Sequence, residues 1–280
     1  MIYIVAALYI EAKPLIDKYN LKKENSSPKF QIFSNEKIKL IISGVGRIKS
    51  SIALSQLSTN INIRGEDFII NLGFCASTSD KDSLADILMP NKILNAYSSQ
   101  CFYPEMLYKH DFLEGTLICY DEIQYSIHKK FKERFYIDME SIGFFEAASY
   151  YFKREKIIIL KIVSDILSYT KKERKFIDLN NSNFLLRAYE RIFIFIEKLI
   201  NFSQENEQNF NLLEENFIKK IRQNLKLSDT MYYEFLNLLR YLKLSKRDIF
   251  KFLKIYENIE IKNKLEGKKH FEDIKKRIID

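Results

Sequence analysis

Three carboxylates stand where this chain turns from a strand toward a helix or loop. Glu11 closes Ala7-Leu8-Tyr9-Ile10-Glu11, Glu140 sits in Ile137-Asp138-Met139-Glu140-Ser141, and Asp165 follows Ile162-Val163-Ser164. Open α/β sheets hold their ligands at such junctions. A carboxylate placed there can move a proton or accept hydrogen bonds from a bound molecule. The alternative is structural: Glu140 and Asp165 are common residue types at helix N-termini, where they cap the free backbone N–H groups. Glu11 also reads as an exposed helical glutamate.

The elements that position these residues follow from periodicity. Ile2 to Ala7 reads as a first strand, followed by a helix from near Glu11 with Pro14 in an early turn, where helices tolerate it. Phe30 to Phe33 and Ile38 to Ser43 form a hairpin about Asn35-Glu36. Gly44-Val45-Gly46 then opens a helix from about Ile48 to Leu57, a turn suited to an anion or to close approach of a ligand. The turn lacks the third glycine of a dinucleotide fingerprint and the lysine of a nucleoside triphosphate loop. Further strands are expected at Phe68 to Leu72, Leu84 to Met89 and Gly115 to Cys119, with Asn95 to His110 irregular and aromatic. Ser141 to Lys153 repeats apolar residues at helical spacing, and Ile157 to Val163 is a β-branched run broken only by Lys161, which places Asp165 just past its end. Asn183 to Phe202 is a strongly patterned helix.

Met139-Glu140 and Ser164-Asp165 lie 25 residues apart, the separation that one helix and one strand require. Together these two words resemble signature segments of the 5'-methylthioadenosine/S-adenosylhomocysteine nucleosidases, within the purine nucleoside phosphorylase superfamily. The resemblance covers about residues 1 to 203 and implies cleavage of an N-glycosidic bond without a metal or redox cofactor. It implies Glu11 as general base toward water, Glu140 on the ribose hydroxyls with Met139 beneath the sugar, and Asp165, oriented by Ser164, as acid toward the purine. An acid in that role must stay neutral near pH 7, so its site must raise its pKa. An ordinary core methionine is the other reading of Met139. The resembling turn carries a lysine where this chain has Arg47. Asn71-Leu72-Gly73 is retained, yet Phe74 stands where a serine is usual, and Ile123 where an aromatic ring stacks on adenine. Asp121 matches an aspartate of the same word. Phe102 and Tyr103 are candidates for a loop that helps close a neighbouring subunit's pocket, or they fill the loop's underside. A homodimer is implied by the resemblance alone.

The expected architecture is α/β: a three-layer α/β/α domain with a mixed central sheet over residues 1–203, followed by an all-α appendage over residues 204–280. In the appendage, helices are expected at Asn206 to Leu225, Asp229 to Leu242, Ser245 to Ile259 and after Lys268, with Asp229 and Ser245 as N-caps. The link LKLSKRD permits a helix-turn-helix, but packing on the core or on a protein partner is the expectation, and nucleic acid is not expected as a partner. The 280 residues carry a formal charge of +8 with both signs plentiful and no long single-sign block, a mildly basic surface. Three cysteines without a C-x-x-C pair and three scattered histidines give neither a disulfide framework nor a metal signature, which suits a reducing cytoplasm. The apolar opening lacks a basic n-region and reads as a strand, and no run is long enough to span a membrane. The functional expectation is a purine nucleosidase acting on a methylthioadenosine or S-adenosylhomocysteine type of substrate. The alternatives are a nucleoside-binding protein that has lost activity, favoured by Phe74, Ile123 and the tail, and a phosphate-dependent phosphorylase.

Overall fold

The computed structural model describes residues 1–24, 29–59, 63–126, 134–167, 175–177, 183–207, 210, 212–259, 261 and 263–279. Most of the polar segment that follows Leu167 lies outside them. The chain divides into two compact units, Met1–Ser203 and Gln204–Asp280.

The first unit is built on a mixed sheet. Its strands are β1 (Ile2–Ala6), β2 (Lys22–Glu24), β3 (Gln31–Ser34), β4 (Ile38–Ile42), β5 (Phe68–Ser77), β6 (Ile87–Asn95), β7 (Cys101–Phe102), β8 (Leu113–Cys119), β9 (Phe135–Asp138), β10 (Ile157–Ile166) and β11 (Lys175–Phe176). β1 lies parallel between β4 and β5, and the β3–β4 hairpin forms where expected, with β2 added at its edge. Beyond β5 the sheet curls. β5 pairs with β10 along its length and with β9 at its end, while β10, β6, β8 and β9 pair in sequence, so these five strands close into a ring.

Helices cover both faces, which makes the unit a three-layer α/β/α domain. One core joins Ala12, Leu15 and Ile16 of α1 (Tyr9–Lys18) and Ile192, Phe195 and Ile196 of α4 (Asn183–Glu207) to Ile4, Leu40, Ile70, Leu72 and Leu160 of the strands. The other joins Ala53, Leu54 and Leu57 of α2 (Arg47–Thr59) and Phe144, Phe145 and Ala148 of α3 (Ser141–Tyr151) to Val5, Ile41, Ile69 and Ile159. The two sets alternate along each strand, as a pleat with two buried faces requires.

The second unit has its own core, with Ile221, Leu239, Leu253, Phe271 and Ile274 fully buried or nearly so. Its helices are α5 (Leu212–Asn224), α6 (Asp229–Leu244), α7 (Ile249–Leu253) and α8 (Lys264–Ile279). Two expected caps are displaced by one and three residues. Ser228, not Asp229, accepts the Met231 N–H at the start of α6, and Asp248, not Ser245, accepts the Lys251 N–H at the start of α7. The reason is the turn before each helix. Lys226 and Lys246, two residues before each cap, adopt positive φ angles of 45° and 57° and so end the preceding helix. α8 begins earlier than the sequence pattern implies. Among the described residues no helix is long and apolar enough to cross a membrane.

Candidate active site

Glu11 is the third residue of α1, one turn beyond the end of β1. Its side chain folds back over the helix start: Oε2 accepts the N–H groups of Ala7 at 2.9 Å and Leu8 at 2.8 Å. This is the share of a capping box that the N3 position supplies. Oε1 turns to β5 and accepts the Phe74 N–H at 3.0 Å. Glycine before Phe74 leaves room for this approach, because a Cβ on Gly73 would stand 3.0 Å from Oε1 and press on the carboxylate. Only 4% of Glu11 is exposed, so it is not the exposed helical glutamate that spacing allows. Burial pushes its carboxyl from 4.5 up to about 6, against the pull of Lys161 and the backbone donors.

Glu140 also escapes its structural reading. It occupies the N-cap of α3, but its carboxylate makes no cap bond. The cap is Asp138: Oδ2 accepts the N–H groups of Ser141 at 2.9 Å and Glu140 at 3.3 Å, and Oδ1 accepts the Ser141 hydroxyl at 2.6 Å. Glu140 is thereby free to reach across to the glycine turn, where Oε1 accepts the Gly46 N–H at 2.9 Å. That turn is itself fixed by the Gly44 N–H, which donates to the Ala7 carbonyl at 3.0 Å. Both glycines have positive φ, 81° and 106°, which suits glycine best. Close packing of α2 on α3 keeps the turn in place, since a Cβ on Gly143 would come within 2.1 Å of the Arg47 carbonyl.

Lys161 joins these carboxylates. It points into the ring of strands beside Gly73, its register partner on β5, and is 1% exposed. Its Nζ lies 2.9 Å from Asp138 Oδ2 and 3.7 Å from Glu140 Oε2. Burial works against its charge, but Asp138, Glu140 and Glu11 together outweigh burial and hold the ammonium above its ordinary pKa. Burial likewise raises the Glu140 carboxyl; Lys161 opposes this and Asp138 adds to it. Asp138 and Lys161 belong to the cluster although the residue spacing singled out neither for chemistry. The available signal was Lys161 itself, the one charge in the apolar run from Ile157 to Val163.

Asp165 lies inside β10 rather than past its end. It pairs with Ala76 of β5 and Phe176 of β11, and the register slips between Val163 and Asp165. The extra residue is Ser164, and a bulge of this kind re-aims the side chains around it. The Ser164 hydroxyl lies 2.6 Å from Asp165 Oδ2 and 3.3 Å from the Cys75 carbonyl. Apolar periodicity carries no mark of a bulge, which is why the strand seemed to stop at Val163.

The remaining candidates separate. Met139 is half-buried next to Glu140. Phe74 presents its backbone N–H to Glu11, while its ring packs on the α1/α4 core beside the sheet. Ile123 is 55% exposed on the segment after β8. That segment is moored to α2: the Arg47 guanidinium holds both Asp121 carboxylate oxygens at 2.8 Å. Arg47 is thus committed to an ion pair. Phe102 packs its ring against Phe145 at 5.1 Å and Tyr103 is exposed.

No family model matches the chain, and no curated protein matches it. Solved structures do. The 5'-methylthioadenosine/S-adenosylhomocysteine nucleosidase of Neisseria meningitidis, in complex with methylthio-immucillin-A, aligns over 68% of this chain and 98% of its own at 16% identity and a TM-score of 0.52. The S. pneumoniae enzyme with a transition-state inhibitor aligns over 72% and 97% at 14% identity and 0.54. The Helicobacter pylori enzyme with butyl-thio-DADMe-Immucillin-A aligns over 71% and 97% at 14% identity and 0.54. The α/β fold of this chain is therefore like that of the methylthioadenosine/S-adenosylhomocysteine nucleosidases.

Proposed function

We propose that the protein hydrolyses the N-glycosidic bond of a purine nucleoside or 5'-thionucleoside of the methylthioadenosine/S-adenosylhomocysteine type, releasing adenine. The observation that carries this reading is Glu11. A buried carboxyl with a pKa of about 6 is suited to take a proton from water near neutral pH. An ionised carboxylate offers about four acceptor sites. The N–H groups of Ala7, Leu8 and Phe74 take three, two on Oε2 and one on Oε1, so one site on Oε1 remains for a water to be activated.

In this reading Glu140, anchored by Gly46 and Lys161, accepts the ribose hydroxyls and supports positive charge as it develops on the sugar. Met139 packs beneath the sugar. Asp165, oriented by Ser164, protonates the departing base. Ile123 covers a purine face less specifically than an aromatic ring does, and Phe74 contributes its N–H rather than its ring.

Water is favoured over phosphate as the acceptor. A phosphate dianion needs cations that converge on it. Arg47 is held by Asp121, Lys161 by Asp138 and Glu140, and the Glu11 carboxylate repels a dianion. The second reading, nucleoside binding without turnover, draws on the exposure of Ile123.

The test is to incubate the protein with methylthioadenosine, S-adenosylhomocysteine, adenosine and inosine, with and without phosphate, and to follow free base by chromatography. Base released without phosphate, and lost in Glu11→Gln, is the expected result. Release that requires phosphate would make the protein a phosphorylase; binding without release would make it a nucleoside-binding protein.

A further inference from the structure

A general base must be held to within about 0.5 Å of its working position, so whatever fixes the backbone of Glu11 governs its chemistry. Three donors fix the carboxylate: the Ala7 and Leu8 N–H groups at the helix start and the Phe74 N–H within β5. The helix itself is held against the sheet by α4. The two helices meet through apolar side chains: Ala12, Leu15 and Ile16 share a core with Ala188, Ile192 and Ile196, and Tyr19 meets Phe193 edge to face at 5.9 Å. Apolar contacts of this kind resist separation better than sliding. One buried polar tie crosses them at the level of the site: the Tyr189 hydroxyl donates to the Glu11 carbonyl at 2.9 Å.

We propose that Tyr189 is a positioning residue for Glu11, fixing the first turn of α1 so that the carboxylate stays desolvated and aimed at the bound water. The proposal rests on the reading of Glu11 as the general base. Tyr189 is 2% exposed, and its ring lies against Phe193 at 6.1 Å, so the hydroxyl cannot swing to solvent without leaving the core. Its hydrogen has one acceptor there, the carbonyl of the residue whose side chain does the chemistry. Burial and the nearby Glu11 charge both keep the phenol protonated, so it acts as a donor at every pH at which the enzyme works.

The test is Tyr189→Phe, which removes the hydroxyl and leaves the ring in the core. With methylthioadenosine as substrate, kcat should fall roughly tenfold, in line with the large rate losses that small misplacements cause, while KM stays within about twofold. Once the first turn relaxes and admits water, desolvation of Glu11 eases. The acid limb of the kcat–pH profile, set by Glu11 at about 6, should therefore move toward 4.5. A purely structural tyrosine would leave both kcat and the acid limb unchanged, and that result would overturn the proposal. The second readout needs no turnover: the carboxyl resonance of Glu11, assigned by Glu11→Gln in protein labelled with ¹³C-glutamate, is titrated in wild type and Tyr189→Phe. Should wild type release no base from any nucleoside, the nucleosidase reading fails while the titration still decides the positioning role. An unchanged Glu11 pKa overturns it, and a lowered one supports it.

Discussion

Replacing Lys161 with methionine removes the one positive charge that three buried carboxylates share. Two of its partners stand at 2.9 and 3.7 Å. At an effective dielectric of about 20, unit charges at these separations attract by roughly 4 to 6 kcal/mol each. Much of that gain offsets the cost of desolvating the ammonium, so the wild-type cluster is not stabilised by the full sum. Removing one member is different, because Asp138 and Glu140 remain buried with nothing to balance them. Breaking a buried pair in this way costs about 3 to 5 kcal/mol. The loss should depend on pH with a definite sign. Without Lys161 the Glu140 carboxyl, already raised by burial, loses the charge that opposes that rise, so its folded-state pKa moves further above its unfolded value of about 4. A group shifted upward contributes stability that is fully present below its unfolded pKa and lost as pH rises through the folded one. Urea unfolding of Lys161→Met should thus show a loss of about 3 to 5 kcal/mol at pH 7 that shrinks toward pH 4. The same substitution removes the main charge that holds down the Glu11 pKa, so any residual turnover should have its acid limb above 6. A loss below about 1 kcal/mol at pH 7, equal at pH 4, would refute the view that Lys161 neutralises this cluster.

Glu11 makes its own contribution to stability. Its pKa is raised from 4.5 to about 6, so its contribution is full below pH 4.5 and declines as pH rises through 6, by about 2 kcal/mol in all. The difference in unfolding free energy between wild type and Glu11→Gln should therefore fall by that amount between pH 4 and pH 7, as measured by urea titration at each pH. Gly143→Ala places a methyl 2.1 Å from the Arg47 carbonyl and 2.7 Å from Ser51 Oγ. Thermal and urea unfolding should show a loss of about 2 to 3 kcal/mol as α2 is pushed off α3, and nucleoside affinity should drop because the Gly46 bond to Glu140 goes with it. Asp165→Asn should leave the unfolding midpoint near wild type and lower turnover by roughly 10² to 10⁴, the usual worth of general acid help; unchanged turnover removes Asp165 from the mechanism.

The sheet and its covering helices were legible because they follow local rules. Ile2 to Ala6, Ile38 to Ile42 and Ile157 to Val163 are apolar but for Lys39 and Lys161, and α3 and α4 repeat their apolar residues at helical spacing. Glu11 and Glu140 drew attention because each stands at a strand-to-helix junction, a local feature too, whereas Asp165, expected just past a strand, lies inside β10. What stayed hidden depends on register between distant strands. The bulge at Ser164 exists only relative to Cys75 and Ala76 on β5. The closing of β5, β10, β6, β8 and β9 into a ring is likewise a matter of pairing, and that ring turns Lys161 from an interruption in a strand into the shared cation of the site.

Asp138 shows how the two kinds of information combine. In the sequence it ends a strand and precedes the Met139-Glu140 word, so it attracts no attention beside Glu140. In the fold it takes the capping role that spacing assigns to Glu140. A helix start so capped no longer draws on the Glu140 carboxylate, which turns instead to Gly46 and Lys161. The two acids therefore divide the work. Asp138, with three donors from Glu140 and Ser141 and an ion pair to Lys161, is committed to the helix start and the cation. Glu140, bonded to the Gly46 N–H and set farther from Lys161, is not spent on the start of α3. In the proposed reading a bound ribose would not compete with the helix start for it, and a carboxylate that also had to cap α3 could not offer that.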